Sequence, residues 1–500
     1  MDLDRRDISA PLLATTTPSM RDVLSGRTLL PRSWKQLAYA WVLFVVSAGL
    51  YHVPATLLDA QCLNATMPCS VGEEFRAHGA TNDMIGWLPS TFLLVKGILA
   101  VPAGSAIFRF GTRLCIIAGN ILLLVSTALY CTTFAFGELY ALYALFGVAY
   151  TLAGLVPMLV FTNSWFDAQH KATSIGVLTT GYAMSGIIWP AVTSAVAQAH
   201  GWRVAAALLP ISTFVIGLPV AALLLRDGPH AGRPGTTASS STAPPGARGA
   251  SSDGIALVEP HPEGGSSDGV DASVAGTQSD SMDAAGVAPR TLSPPGAWHR
   301  DPVVWYLGGM SVLILYIING VQHWIVAFLT SDEVGVSLTA AGLYTSLTFA
   351  SSLVGKLIWG VLLDRAGWQR CVAAVVGCLI LAVGSGLTLR PSADAASGRW
   401  TLGPVASQAQ LVAFALVFGA GWGAAFTLVQ SRAAQLYGQR ADFAKLQSAL
   451  AVGQYVGSFL GVWTTSTLRD RATGSFVKGF AILPVLGLLN CVLCVRVFWR

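Results

Sequence analysis

Lys96 sits in the middle of an apolar run, Phe92-Leu-Leu-Val-Lys96-Gly-Ile-Leu. A cation among aliphatic side chains can draw in the carboxylate of a solute; the structural alternative is an ammonium that snorkels or bonds a carbonyl. Lys356 is a second such cation. It lies only two turns before Asp364-Arg365, so snorkelling to the nearby interface is an equal reading. His52 precedes Pro54, whose missing N–H frees a backbone carbonyl. It can serve as a neutral partner for that disturbed backbone, or as a group that exchanges protons or touches solute near neutral pH. Asn319-Gly320-Val-Gln322-His323 places three hydrogen-bonding side chains beside a glycine in another apolar run. That pattern suggests a broken helix lining a binding site. Tyr182, beside Gly181, is the matching candidate in the first half of the chain, with a packed aromatic as its structural alternative.

The elements that must position these residues are membrane spans. Hydrophobic residues make up 53% of the 500 and charged residues 11%, too few charges to cover a water-facing surface. A span needs about 20 apolar residues. Such windows fall near 36–58, 84–106, 114–136, 138–162, 173–199 and 203–226, and again near 302–330, 338–362, 371–390, 407–430, 446–468 and 476–499. The fold class expected is therefore all-α, with twelve transmembrane helices in two pseudo-symmetric six-helix bundles, 36–226 and 302–499. Residues 1–35 read as a disordered basic tail without the features of a cleavable signal. Residues 227–301, rich in Ser, Gly, Pro and Ala, read as a flexible linker. Catalytic triads, His-Glu-x-x-His and paired intramembrane carboxylates do not occur, and no Gly-rich loop ends in Lys-Ser or Lys-Thr. Enzyme chemistry, a metal, a cofactor and ATP drive are not expected. The net charge of +5 gives no reason to invoke nucleic acid.

Lys and Arg set the orientation. With the N-terminus inside, the inner segments hold 21 of the 30 and the outer loops seven, so both termini are expected in the cytoplasm. The first outer loop carries Cys62 and Cys69, close enough to bridge, with the sequon Asn64-Ala-Thr66 between them. The remaining cysteines lie in or near spans and read as small buried hydrophobes.

Two stretches repeat one pattern: Gly104-Ser-Ala-Ile-Phe108-Arg109-Phe-Gly111-Thr-Arg113 and Gly360-Val-Leu-Leu-Asp364-Arg365-Ala-Gly367-Trp-Gln-Arg370. Each joins two apolar runs. A small residue admits a neighbouring helix, and a second glycine makes the turn. The pair resembles the signature loop of the major facilitator superfamily, found after the second and the eighth helices. The resemblance implies secondary transport of a small organic solute by alternating access through a monomer embedded in a bilayer. It also implies that Gly104, Arg109, Gly111, Arg113, Gly360, Asp364, Arg365 and Gly367 form conformational latches. The acid of the pattern stands only in the second copy, and Phe108 replaces it in the first.

Shorter strings divide between two branches of that superfamily. Phe161-Thr-Asn-Ser-Trp-Phe166, the run from Ile175 to Pro190, Ala341-Gly-Leu-Tyr-Thr-Ser346 and Phe443-Ala-Lys-Leu-Gln-Ser448 resemble the system-L-type facilitative amino-acid transporters. Gly201-Trp-Arg203 and Asp470-Arg-Ala-Thr-Gly-Ser-Phe476 are similar to the monocarboxylate porters, which carry an Asp and an Arg one turn apart in the eighth span. Lys356 falls at the Arg and Ser352 at the Asp, so that pair is incomplete. The scarcity of Asp and Glu inside the spans argues against cationic solutes. A neutral amino acid is the expected cargo, in a plasma membrane or a vacuolar or lysosomal type of membrane. Proton-coupled monocarboxylate transport is the alternative, and a non-transporting receptor on the same frame is the reading from another class.

Overall fold

A computed structural model describes residues 32–61, 67–166, 168–228, 298–365, 370–393, 400–404, 407–437, 443–469 and 475–498. The first six long helical segments begin with α1 (Arg32–Thr56), which the short α2 (Val71–Arg76) follows. Next come α3 (Asn82–Phe110), α4 (Thr112–Cys131), α5 (Phe136–Ala153) with α6 (Leu155–Asn163), and α7 (Ala168–His200). The sixth, α8 (Trp202–Ser212), continues through π-helical turns at Thr213–Gly217 and Val220–Leu224. The second six are α9 (Pro302–Gln322) with α10 (Ile325–Leu329), α11 (Leu338–Arg365), α12 (Arg370–Gly386), α13 (Gln408–Tyr437), α14 (Phe443–Thr467) and α15 (Val477–Phe498). Among the described residues, nine helical segments are long and apolar enough to cross a membrane. The other three are α11 and α14, diluted by Ser, Thr and Gly, and the 17-residue α12. Local signals explain the boundaries. Asp301 caps α9 by accepting from Val303 N–H at 2.9 Å, with Pro302 at the first helical position. Gly111, at φ +88°, supplies the left-handed turn between α3 and α4.

The ninth expected window, 371–390, overruns its helix. The helix stops at Gly386, and Leu389–Ala393 pairs antiparallel with Trp400–Pro404 as a small β1–β2 hairpin, Leu389 opposite Pro404. Pro391 cannot donate to a continuing helix, and Gln410 Nε2 bonds the carbonyls of Leu387 and Leu389 at 2.9 and 3.0 Å. The fourth span is also interrupted, at Gly154, between α5 and α6.

Packing repeats between the halves. Helix α1 lies on α7 as α9 lies on α14; α3 packs on α5 as α11 packs on α13; α4 packs on α5 as α12 packs on α13. Two seams join the halves, α3 with α14 and α7 with α11. Within the second half, backbones touch where the sequence is small. A methyl on Gly457 or Gly461 of α14 would stand 2.1 Å from the carbonyl oxygen of Val312 or Tyr316 on α9. These are the small-residue faces that let membrane helices pack closely.

The seams are closed most tightly at the ends of the helices away from the chain termini, here termed the distal end. A methyl on Gly86 would meet Ser466 Oγ, one on Gly342 would meet Ser194 Oγ, and one on Gly186 would meet the Phe349 ring at 2.3 Å. Hydrogen bonds and ring contacts between described residues of the two halves run from the helix midpoints to this end. Gly104 and Gly360, at the terminal end, face open space, so the close approach expected at these glycines is not made in this conformation. Gly461→Ala should therefore lower thermal stability by about 1–3 kcal/mol of overpacking, while Gly360→Ala leaves it unchanged or raises it. Unfolding in detergent followed by tryptophan fluorescence separates the two.

Candidate functional site

Lys96 stands at the midpoint of α3 and reaches into a cage of tyrosines. Its ammonium donates to Tyr51 Oη and lies 4.5 Å from the Tyr51 ring centre, 4.8 Å from that of Tyr150 and 4.5 Å from that of Tyr455. These rings come from α1, α5 and α14, the last belonging to the opposite half. Among the described residues the ammonium has no carboxylate partner. A desolvated cation–π contact contributes about 2 kcal/mol. Desolvating an ion in a protein costs several kcal/mol or more. The cage offsets part of that cost, and an anion entering it would add a further attraction.

Neutral polar groups line the seam beside the cage. Gln322 Nε2 on α9 donates to Tyr182 Oη on α7 at 3.2 Å, a hydrogen bond between the halves. Asn319 Nδ2 donates to Ser458 Oγ at 3.0 Å and to the Leu315 carbonyl at 3.1 Å. His323 Nδ1 lies 3.3 Å from the Asn319 carbonyl, and its ring is 6.2 Å from that of Tyr51. The His52 ring stands edge-on to Phe349 at 4.6 Å and beside Tyr182 at 5.1 Å. His52 Nε2, Ser185 Oγ and Ser346 Oγ are buried with no hydrogen-bond partner among the described residues. Such orphans need an explanation, and a polar solute lodged in the seam is one. Two cavities of about 10 Å³ flank it. One touches Tyr51, Phe92, Tyr143 and His323; the other touches Gln322, Thr345, Phe349 and Trp422. Each has room for about one water, so admitting an organic solute requires the halves to part.

The break expected at Gly320 falls three residues later. Helix α9 runs on through Gln322 and yields at His323 and Trp324 before α10 begins. Gly320 instead admits α14: a methyl there would lie 3.1 Å from Thr465 Oγ1 and 3.3 Å from the Gly461 carbonyl oxygen. The break gives His323 its place under the Tyr51 ring, and Trp324 is tied down by its Nε1 bond to the Val462 carbonyl at 3.1 Å.

Other expected residues lie apart from this cluster. Lys356 faces the Trp422 and Phe426 rings of α13, in its own half, at 6.0 and 5.7 Å. Ser352, in place of an acid, has a buried hydroxyl with no partner among the described residues. In the first signature loop, Arg113 donates to the Ala222 carbonyl at 2.8 Å and Arg109 lies over the Phe110 ring at 5.5 Å. Arg113 thus ties α4 to the π-helical end of the sixth span, within one half. Asp364 and Arg365 close α11, their side chains outside the described set, and Gly367 lies outside it altogether. Cys69 is disulfide-bonded; Cys62, its expected partner, and the sequon at Asn64 lie outside the described residues. Sequence reading passed over Tyr51 and Tyr150 because an aromatic in a span is ordinarily packing. The available signal was Lys96 itself, since an unpaired cation needs electron-rich neighbours.

The family described as the Major Facilitator Superfamily matches the chain over residues 55–462. No curated protein matches it.

If Lys96 serves a solute rather than the fold, its loss should not weaken the molecule. Replacing a buried ion by an apolar side chain of similar shape is often neutral or stabilising. Lys96→Met is expected to keep or raise the melting temperature; a clear drop would make the cage a structural element.

Proposed function

The chain belongs to the Major Facilitator Superfamily, a family of secondary transporters of small solutes, and we propose that it carries a neutral amino acid by facilitated diffusion. The observation that carries this reading is the Lys96 cage: one cation, three aromatic rings and no carboxylate partner among the described residues. A solute carboxylate would bind the ammonium in place of Tyr51 Oη. Its α-ammonium would find neutral acceptors such as Gln322 Oε1 and ring faces rather than a carboxylate. An apolar side chain suits the mostly hydrocarbon walls of the flanking cavities.

In this proposal the two halves rock about the midpoint site. The closed distal end fits a conformation open toward the chain termini, which the excess of Lys and Arg assigns to the cytoplasm. Lys96 and Tyr455 face each other from opposite halves, so a carboxylate that draws the ammonium away loosens one contact between them. The signature-loop residues act as latches in the opposite conformation, with Asp364 supplying the acid. The transporter works as a monomer in a plasma membrane or a vacuolar or lysosomal type of membrane, and residues 227–301 tether the halves.

Proton-coupled monocarboxylate transport is the second reading, favoured by Lys356 beside the Trp422 and Phe426 rings, where a carboxylate on its way through the protein could pause. Reconstituted proteoliposomes distinguish the two. The proposal predicts labelled leucine uptake indifferent to a pH gradient and reduced roughly 100-fold in Lys96→Met, the range expected when one partner of a buried charge pair is removed. Lactate uptake that follows the pH gradient, with leucine excluded, would replace it with the second reading.

A further inference from the structure

We propose that Asp59 is a distal gate whose ion pair with Arg469 holds the two halves together. Asp59 lies three residues beyond α1, and its side chain is fully buried. Two guanidinium groups meet its carboxylate. Arg76, from the end of α2, donates to Oδ2 at 2.6 Å, and Arg469, just beyond α14, pairs with the same oxygen. Each arginine is held by its own half. Arg76 is fixed by two bonds to Asn82 Oδ1, at 3.1 and 2.8 Å, and Arg469 lies over the Phe476 ring at 4.4 Å. The Asp59–Arg469 contact therefore crosses between the halves, while Asp59–Arg76 stays within one.

That division gives the pair its behaviour. When the halves part at the distal end, Asp59 keeps Arg76 as a counter-ion and its buried side is not left uncompensated. Arg469, only 4% exposed in the closed arrangement, passes into water. A buried ion pair that is half separated is neither paired nor hydrated, so intermediate separations are disfavoured and the gate has two stable positions. Around it lie neutral contacts that follow the same motion: Gln61 N–H to Thr330 Oγ1 at 3.0 Å, Thr339 to Gln198 Oε1 at 3.0 and 2.6 Å, and Ser466 Oγ to the Asn82 carbonyl at 3.5 Å. The proposal also accounts for two of the seven basic residues assigned to outer loops against the charge rule.

Hydrogen exchange on the full chain in lipid nanodiscs tests the gate with no need of a solute. Arg469→Gln and Asp59→Asn should each speed exchange in peptides spanning 190–202 and 325–340, on opposite sides of the α7–α11 seam, on the order of tenfold. Arg76→Gln should leave the 325–340 peptide unchanged, because it removes only the contact inside one half, and Arg469→Lys should behave as the parent. Parent-like exchange in both Arg469→Gln and Asp59→Asn overturns the proposal, as does equal acceleration in Arg76→Gln. Should Arg469→Gln fail to fold, Asp59→Asn against Arg76→Gln carries the same decision.

Discussion

A charged ammonium at the midpoint of an apolar helix must be surrounded by something, and the arrangement of this protein follows from how Lys96 is surrounded. Aliphatic neighbours cannot stabilise it, and the ends of α3 lie 14 residues away in either direction. Three tyrosine rings do so, drawn from α1, α5 and α14. Because α14 belongs to the other half, the solvation of one charge links two bodies that must separate in every transport cycle. The rings offset part of the cost of burying the ion, and an arriving anion would add to what they supply.

The rest of the molecule divides into parts that must stay fixed and parts that must move. Within the second half, α9 and α14 meet backbone to backbone at Gly457 and Gly461, and such contacts tolerate little sliding apart. Between halves the contacts are fewer and of another kind: a tyrosine–glutamine hydrogen bond, ring edges, hydroxyls and the Asp59–Arg469 pair. The neutral ones can be exchanged for water or solute at modest cost. Rigid halves joined by replaceable contacts are what alternating access requires.

Much of the architecture was legible because the bilayer enforces length and apolarity. The six-plus-six order of the described helical segments is visible in the run of hydrophobic residues. The ninth span was overread since Leu387 and Leu389 are apolar whether helical or extended, and only Pro391 signals the change. At the site, Lys96, Gln322, His323, Tyr182 and His52 were recognisable as polar groups out of place, and the structure gathers them around Tyr51 and Phe349 where the halves meet. Gly320 misled because a glycine in a span can mark a break or a close approach, and here it marks the latter. The tyrosine cage and the Asp59 cluster were illegible for a common reason. Both are assembled from residues far apart in sequence, Lys96 with Tyr455 and Asp59 with Arg469, and no local spacing records such pairs.

Whether Lys96 receives a solute carboxylate is decided by competition of leucine analogues against labelled leucine uptake. Leucinamide, which lacks the carboxylate, should fail to compete with the parent protein, while 4-methylpentanoate, which lacks only the ammonium, should compete weakly but measurably. Equal competition by leucine and leucinamide would contradict the account, because the cation at the centre of the cage would then play no part in recognising the solute.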